Sequence, residues 1–126
     1  MNFLPDTYAL NTRSLSGPHR IAVVPFDYDG SQCAIQVFAL SGAPALKASV
    51  MLEGWTNREL SEVAIKDYSK NEGIYDALLS NHLIEPAHRS FATGFVHLPL
   101  VRMKGPLLEA WLHEHARYVA ELEGVK

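Results

Sequence analysis

The feature that most constrains this chain is RIAVVPFDY, then Asp29-Gly30, then SQCAIQVFAL. Two β-rich runs on either side of a dipeptide that tolerates positive φ predict a tight antiparallel hairpin. SGAP marks another turn. In ALKASVMLE, Ala48, Val50 and Leu52 alternate with Lys47, Ser49 and Met51, which predicts a third strand with one wetter face. EVAIKDY adds a short strand and ATGFVHLPLVRM another, with Phe95, His97, Pro99 and Val101 on one side and Val96, Leu98 and Leu100 on the other. Proline cannot donate a ladder hydrogen bond, so Pro25 and Pro99 predict edge or bulged strands, and prolines there limit pairing of a partner through backbone.

Two segments break this two-residue period. SKNEGIYDALLSNHLIEP has Ser69 and Glu72 at capping-box spacing, with Ile74, Ala77 and Leu78 on one face and Tyr75 and Leu79 beside them. A stop is expected near Asn81, which tolerates the left-handed cap, with Pro86 preventing resumption. GPLLEAWLHEHARYVAELEG has Pro106 in a first-turn position, Gly124 as a stop, and a stripe of Leu108, Trp111, Leu112, His115, Tyr118, Val119 and Leu122. The expected class is α+β: an antiparallel sheet of about four to five strands packed by two helices, the C-terminal one, about 106–123, being the longest.

At 126 residues the chain has the length of one domain, 1–126. Its first nineteen residues, rich in Asn, Thr, Ser, Gly and Pro, read as a mobile segment or as an edge strand through TYAL. A net charge of −3 supplies no overall field for phosphate backbones or anionic lipid, which disfavours nucleic acid. Neither a signal segment nor an apolar run long enough to span a bilayer is present, so no membrane is expected. The single Cys33 cannot form an intrachain disulfide or a thiolate metal site, and a cytoplasmic location fits.

The six histidines are the natural place to look for chemistry. His113 and His115 point about 200° apart around a helix and cannot share an ion, which leaves Glu109 and His113 as an ordinary surface pair and His115 in the apolar stripe. His82, His88 and His97 fall at a helix end, in a turn and in a strand. Their ordinary roles are capping carbonyls, facing solvent, and packing among Phe95 and Val101. The sharper alternative has His88 and His97 converge with a carboxylate such as Asp67 or Glu85, as a metal site, a general base or a small-ligand sequesterer. Freed N–H groups beside Asn71 and Gly73 could take an anion, unless Ser69 and Glu72 satisfy them as a cap. Arg89, Arg102 and Lys104, interleaved with Phe91 and Phe95, mimic a small anion or single-strand surface. Cys33 lies in a hydrophobic strand, and neither a nucleophile elbow nor a phosphate loop is present.

Asn71 and Gly73, Leu78 and Leu83, Glu85, Pro86 and Arg89, then Thr93, Gly94, Phe95 and Pro99 form a motif order over roughly residues 33–103. This order resembles a family of small bacterial proteins of unknown function found on plasmids, conjugative transposons and phage-like elements. The resemblance implies a cytoplasmic accessory protein of a mobile element and assigns no activity or cofactor.

With no assembled catalytic set, no cofactor and no metal centre expected, the leading expectation is a non-enzymatic binding protein that engages a host or phage protein, counter-defence being one such role. Trp55, Tyr75 and Phe91 are its candidate contact side chains, with Asp67, Asn71, Arg89, His97 and Arg102 as polar candidates. A second copy of the chain is a further candidate partner.

Overall fold

The computed structural model describes residues 1–27, 29–56 and 58–124. The class is α+β with the C-terminal helix the longest, and the strands divide between two antiparallel four-stranded sheets. The first sheet has the order β1 (Asn2–Ala9), β2 (Pro18–Pro25), β3 (Cys33–Phe38), β4 (Pro44–Lys47). The second has the order β5 (Ser49–Val50), β6 (Glu62–Ile65), β8 (Val96–Arg102), β7 (Arg89–Thr93). A 3₁₀ turn (Ser69–Asn71) and α1 (Ile74–Ser80) separate β6 from β7, and α2 (Gly105–Gly124) closes the chain against β1 and β2.

β2 and β3 pair as the expected antiparallel hairpin, but the turn is not tight: β2 ends at Pro25, β3 begins at Cys33, and the predicted run's end at Tyr28 lies outside the described residues. Asp29 shapes the turn, its carbonyl accepting the Gln32 N–H at 3.0 Å and its carboxylate the Ser31 N–H at 3.1 Å. Gly30 matters here for space and not for positive φ, since a Cβ would overlap the Tyr118 ring of α2.

The predicted third strand divides into β4 and β5 at Ala48, because this segment passes from one sheet to the other. Ala48 donates to Ile35 O and accepts from Lys66 N, both at 2.8 Å. Buried Ser49 then replaces a missing backbone partner, its Oγ accepting from Ile35 N at 2.8 Å and donating to Cys33 O at 2.9 Å. Ala48 and Ser49 are therefore both buried, and the two-residue alternation fails there.

Both prolines lie in interior strands, not edges. Pro25 is the last residue of β2, beyond the β1 register, which ends at Val23. The β6 register ends at Leu100, one residue short of Pro99, so the missing N–H breaks no bond there. The edges of the second sheet are β5 and β7, and the β7 sequence RSFAT has no proline.

On α1, Ile74, Ala77 and Leu78 are buried as the pattern predicts, but the capping box does not form. Asp67 takes its place, its Oδ1 accepting from Gly73 N at 2.9 Å and Tyr75 N at 3.2 Å. At the other end the left-handed residue is His82 (φ 58°), not Asn81 (φ −89°). Leu83 N bonds Leu78 O and His82 N bonds Leu79 O, the paired bonds of a Schellman stop. A side chain at this φ costs about 1–2 kcal/mol, partly offset by the entropy a glycine loses on folding. His82→Gly is expected to raise the free energy of unfolding by about 1 kcal/mol, measured as a higher urea midpoint at unchanged slope.

On α2 the buried residues are Leu107, Ala110, Trp111 and Glu114, a stripe rotated by one residue from expectation that leaves Leu112 and Leu122 exposed. The rotation is possible because the Glu114 carboxylate is paired, with the Met1 amino group and Arg117 Nη2 each at 2.8 Å. Burial opposes ionisation of Glu114, but the Arg117 hydrogen bonds and the Met1 amino group outweigh it and hold the carboxyl below its usual range. One apolar cluster joins both sheets and both helices, from Leu4 and Ile35 through Ile65 and Val101 to Leu78 and Trp111.

Candidate functional site

The sequence candidates converge on the β7–β8 hairpin. Its turn is Gly94-Phe95, with Gly94 at φ 58° in the first central position, the geometry that a two-residue turn of this hand requires of glycine. Cross-strand register puts Arg89 opposite Leu100 and Phe91 opposite Leu98, with Ser90 opposite Pro99 and Ala92 opposite His97. Arg89 and Phe91 thus share one face with Leu98, Leu100 and, through β6, Glu62, while Ser90, Ala92 and His97 share the other. All five residues of β7 are exposed, and Phe95 at the tip is fully so.

A cavity of about 290 Å³ lies between β7 and the loop before β6, lined by Gly54, Trp55, Arg89, Phe91 and Leu100. Gln32 holds that loop in place, its side-chain amide donating to Leu52 O at 2.7 Å and accepting from Leu52 N at 3.0 Å. Trp55 is half-buried, with the Arg58 guanidinium 5.4 Å from its ring centre. A second, open depression of about 450 Å³ is lined by Asp67, Ala87, His88, Arg89, Ser90 and His97.

Buried Glu62 lines neither cavity but holds two residues that do, His88 and Arg89. Its Oε1 accepts from Glu59 N at 2.7 Å, its Oε2 lies 2.7 Å from His88 Nε2, and Arg89 Nη2 stands 3.7 Å away. Burial works against the charge, but the Glu59 N–H, the His88 ring and Arg89 together hold the carboxyl below its usual range. A carboxylate can only accept, so His88 carries its proton on Nε2. An imidazole oriented by a buried carboxylate is half of an acid–base device. Among the described residues no nucleophile is hydrogen-bonded to it.

The structure corrects several expected roles. His88 is an exposed residue, as expected, but its ring is also bound to Glu62, which leaves 24% of the side chain exposed. His97 is exposed and does not pack among Phe95 and Val101, Phe95 being outside the strand and exposed itself. Asp67 caps α1. Tyr75 lies apart from Trp55 and Phe91 and accepts the Ala87 N–H at 2.9 Å, fixing the chain as it enters β7. Asn71 is buried and donates to Lys47 O at 2.6 Å, so it offers no anion site. Arg102 faces Glu59 at 2.9 Å, a pairing that raises the arginine and lowers the carboxyl. Arg89 stands near Glu62 as well, so two of the three basic residues of that set, Arg89 and Arg102, have a carboxylate beside them.

His115 is half-buried between the Trp111 and Tyr118 rings, and His113 and Glu109 are exposed. Cys33 is buried, and desolvation, with Glu114 nearby, pushes its thiol well above the usual range. Among the described residues no group of three His, Cys, Asp or Glu side chains could hold a metal ion, and no helix is long and apolar enough to cross a membrane.

Glu62 is the residue that sequence reasoning missed. Its only local signal was a carboxylate at the head of the apolar run VAI, and its partner His88 arrives 26 residues later. No family model, curated protein or solved structure matches the chain.

Proposed function

We propose that this chain is a non-enzymatic binding protein that engages a host or phage protein through the face formed by the β7–β8 hairpin and the Trp55 loop. The observation that carries this is the meeting of Trp55, Arg89 and Phe91 around one cavity beside an exposed edge strand. Aromatic and arginine side chains around a pocket are the usual anchors of protein interfaces. The resemblance to proteins of plasmids, conjugative transposons and phage-like elements supports the finer reading, a cytoplasmic accessory protein of a mobile element with a role such as counter-defence.

The test is capture of partners from host extract on immobilised protein. Trp55→Ala and Phe91→Ala are each expected to reduce retention of the specific partner at least about tenfold, the scale of an anchor residue. Leu122→Ala, an exposed apolar residue on α2, should leave retention unchanged. Equal retention by wild type and the Trp55 and Phe91 variants would refute this assignment.

A second reading, a small-ligand or acid–base site, has one observation in its favour: Glu62 orients His88 at the edge of a cavity shared with His97 and Asp67. The same panel separates the two, since His88→Ala with His97→Ala disables the second and leaves the first intact.

A further inference from the structure

A sheet edge is a row of unpaired backbone groups, and folded proteins protect such edges. Three of the four edges here are protected. The β1 edge carries Pro5 and Asp6, with a register irregularity between Phe3 and Thr7. The β5 edge lies against β3, Ala48 N donating to Ile35 O and Ser49 Oγ joining Ile35 N to Cys33 O, and the four-residue β4 begins at Pro44 and has its Lys47 O covered by the Asn71 amide. The β7 edge has no proline, an aromatic residue at its centre, and one charge, Arg89, that already faces Glu62 at 3.7 Å.

We propose that β7 pairs antiparallel with β7 of a second copy of this chain, about a two-fold axis through Phe91. In that register Arg89 faces Thr93 of the other copy, Ser90 faces Ala92, and Phe91 faces its own counterpart. No like charges oppose one another, and the central pair is aromatic on aromatic, a favourable cross-strand contact. Directly opposed residues point to the same face of a sheet, so the two Trp55–Arg89–Phe91 cavities join across the axis into one groove. Two four-stranded sheets become one sheet of eight. An interface built on a five-residue strand is small, so the dimer should dissociate on dilution through the micromolar range.

The inference rests on reading β7 as a contact surface, and it can fail separately. The experiment is sedimentation equilibrium of the full chain, wild type and two variants, Phe91→Lys and Phe91→Glu. The wild type is expected to reach twice 14.0 kDa at high concentration. Each variant alone should stay at 14.0 kDa, because the axis sets like charges face to face. An equimolar mixture of the two should recover the dimer, a result that misfolding of either variant cannot produce.

A wild type that stays at 14.0 kDa up to about 1 mM overturns the proposal, as does a dimer that persists in both variants or is not restored on mixing. A monomeric wild type whose partner capture is lost in the Phe91 variants would mean that β7 is kept for a foreign chain. Charge-controlled dimerisation with unaltered partner capture would leave the dimer standing and remove the binding function from this face.

Discussion

Replacing Trp111 with alanine is expected to lower the free energy of unfolding by about 4 kcal/mol, the largest effect of any single substitution proposed for this chain. The indole is fully buried in the cluster that joins both sheets and both helices, so its removal leaves a void that close-packed neighbours fill only in part. It also removes a hydrogen bond, since Nε1–H donates to Leu60 O at 3.0 Å and ties α2 to the loop that enters β6. The His115 ring, 5.5 Å from the indole, loses its aromatic neighbour as well. Urea unfolding followed by circular dichroism gives the number. Trp111→Phe separates the components, keeping most of the volume and costing about 1–2 kcal/mol for the lost donor. A Trp111→Ala loss below about 1 kcal/mol would show that the indole is not the centre of the core.

Glu62→Ala is the second large effect, about 3 kcal/mol at neutral pH, because it removes a buried carboxylate hydrogen-bonded to His88 and leaves the Glu59 N–H without its acceptor. This loss depends on pH in a direction fixed by the lowered carboxyl. A group whose folded value lies below its unfolded value stabilises the fold fully above the unfolded value, about 4.3 for glutamate, and loses that contribution as pH falls through the folded value. The unfolded chain binds more protons in that window, so stability there rises with pH. Wild-type stability should therefore fall on acidification below about pH 4.3, and Glu62→Gln should show a shallower acid limb. Urea midpoints measured from neutral pH into acid decide the matter. An unchanged acid slope in Glu62→Gln would mean that this carboxylate is not linked to folding.

The class, the long C-terminal helix and the apolar face of α1 were legible because each rests on a local period. The runs RIAVV and CAIQVF alternate with turns, and Ile74, Ala77 and Leu78 fall at helical spacing. What escaped depends on residues that meet from far apart. Splitting one sheet into two turns on Ser49 filling a gap opposite Ile35 and Cys33, and no pattern announces a side chain that replaces a backbone partner. Pro25 and Pro99 pointed to edges, yet each lies beyond the end of a neighbouring register, a fact set by strand lengths. The burial of Glu114 on α2 follows from two cations that meet it, one of them from the far end of the chain. In the candidate site, Trp55, Arg89 and Phe91 were each legible as binding types, but their meeting was not, since it depends on Gln32 holding the Trp55 loop over β7. Asp67 and Tyr75 were assigned to binding and instead hold backbone, because capping and recognition call on the same side chains.

The segment 44–50 has a mechanical consequence. One stretch of chain is the outer strand of the first sheet and the first strand of the second, and Ala48 is bonded into both at once. Detaching it from either side strands amides deep in the interior with nothing to accept them, so neither half can come apart while the other persists. The molecule is riveted at one point, and it should melt in a single step.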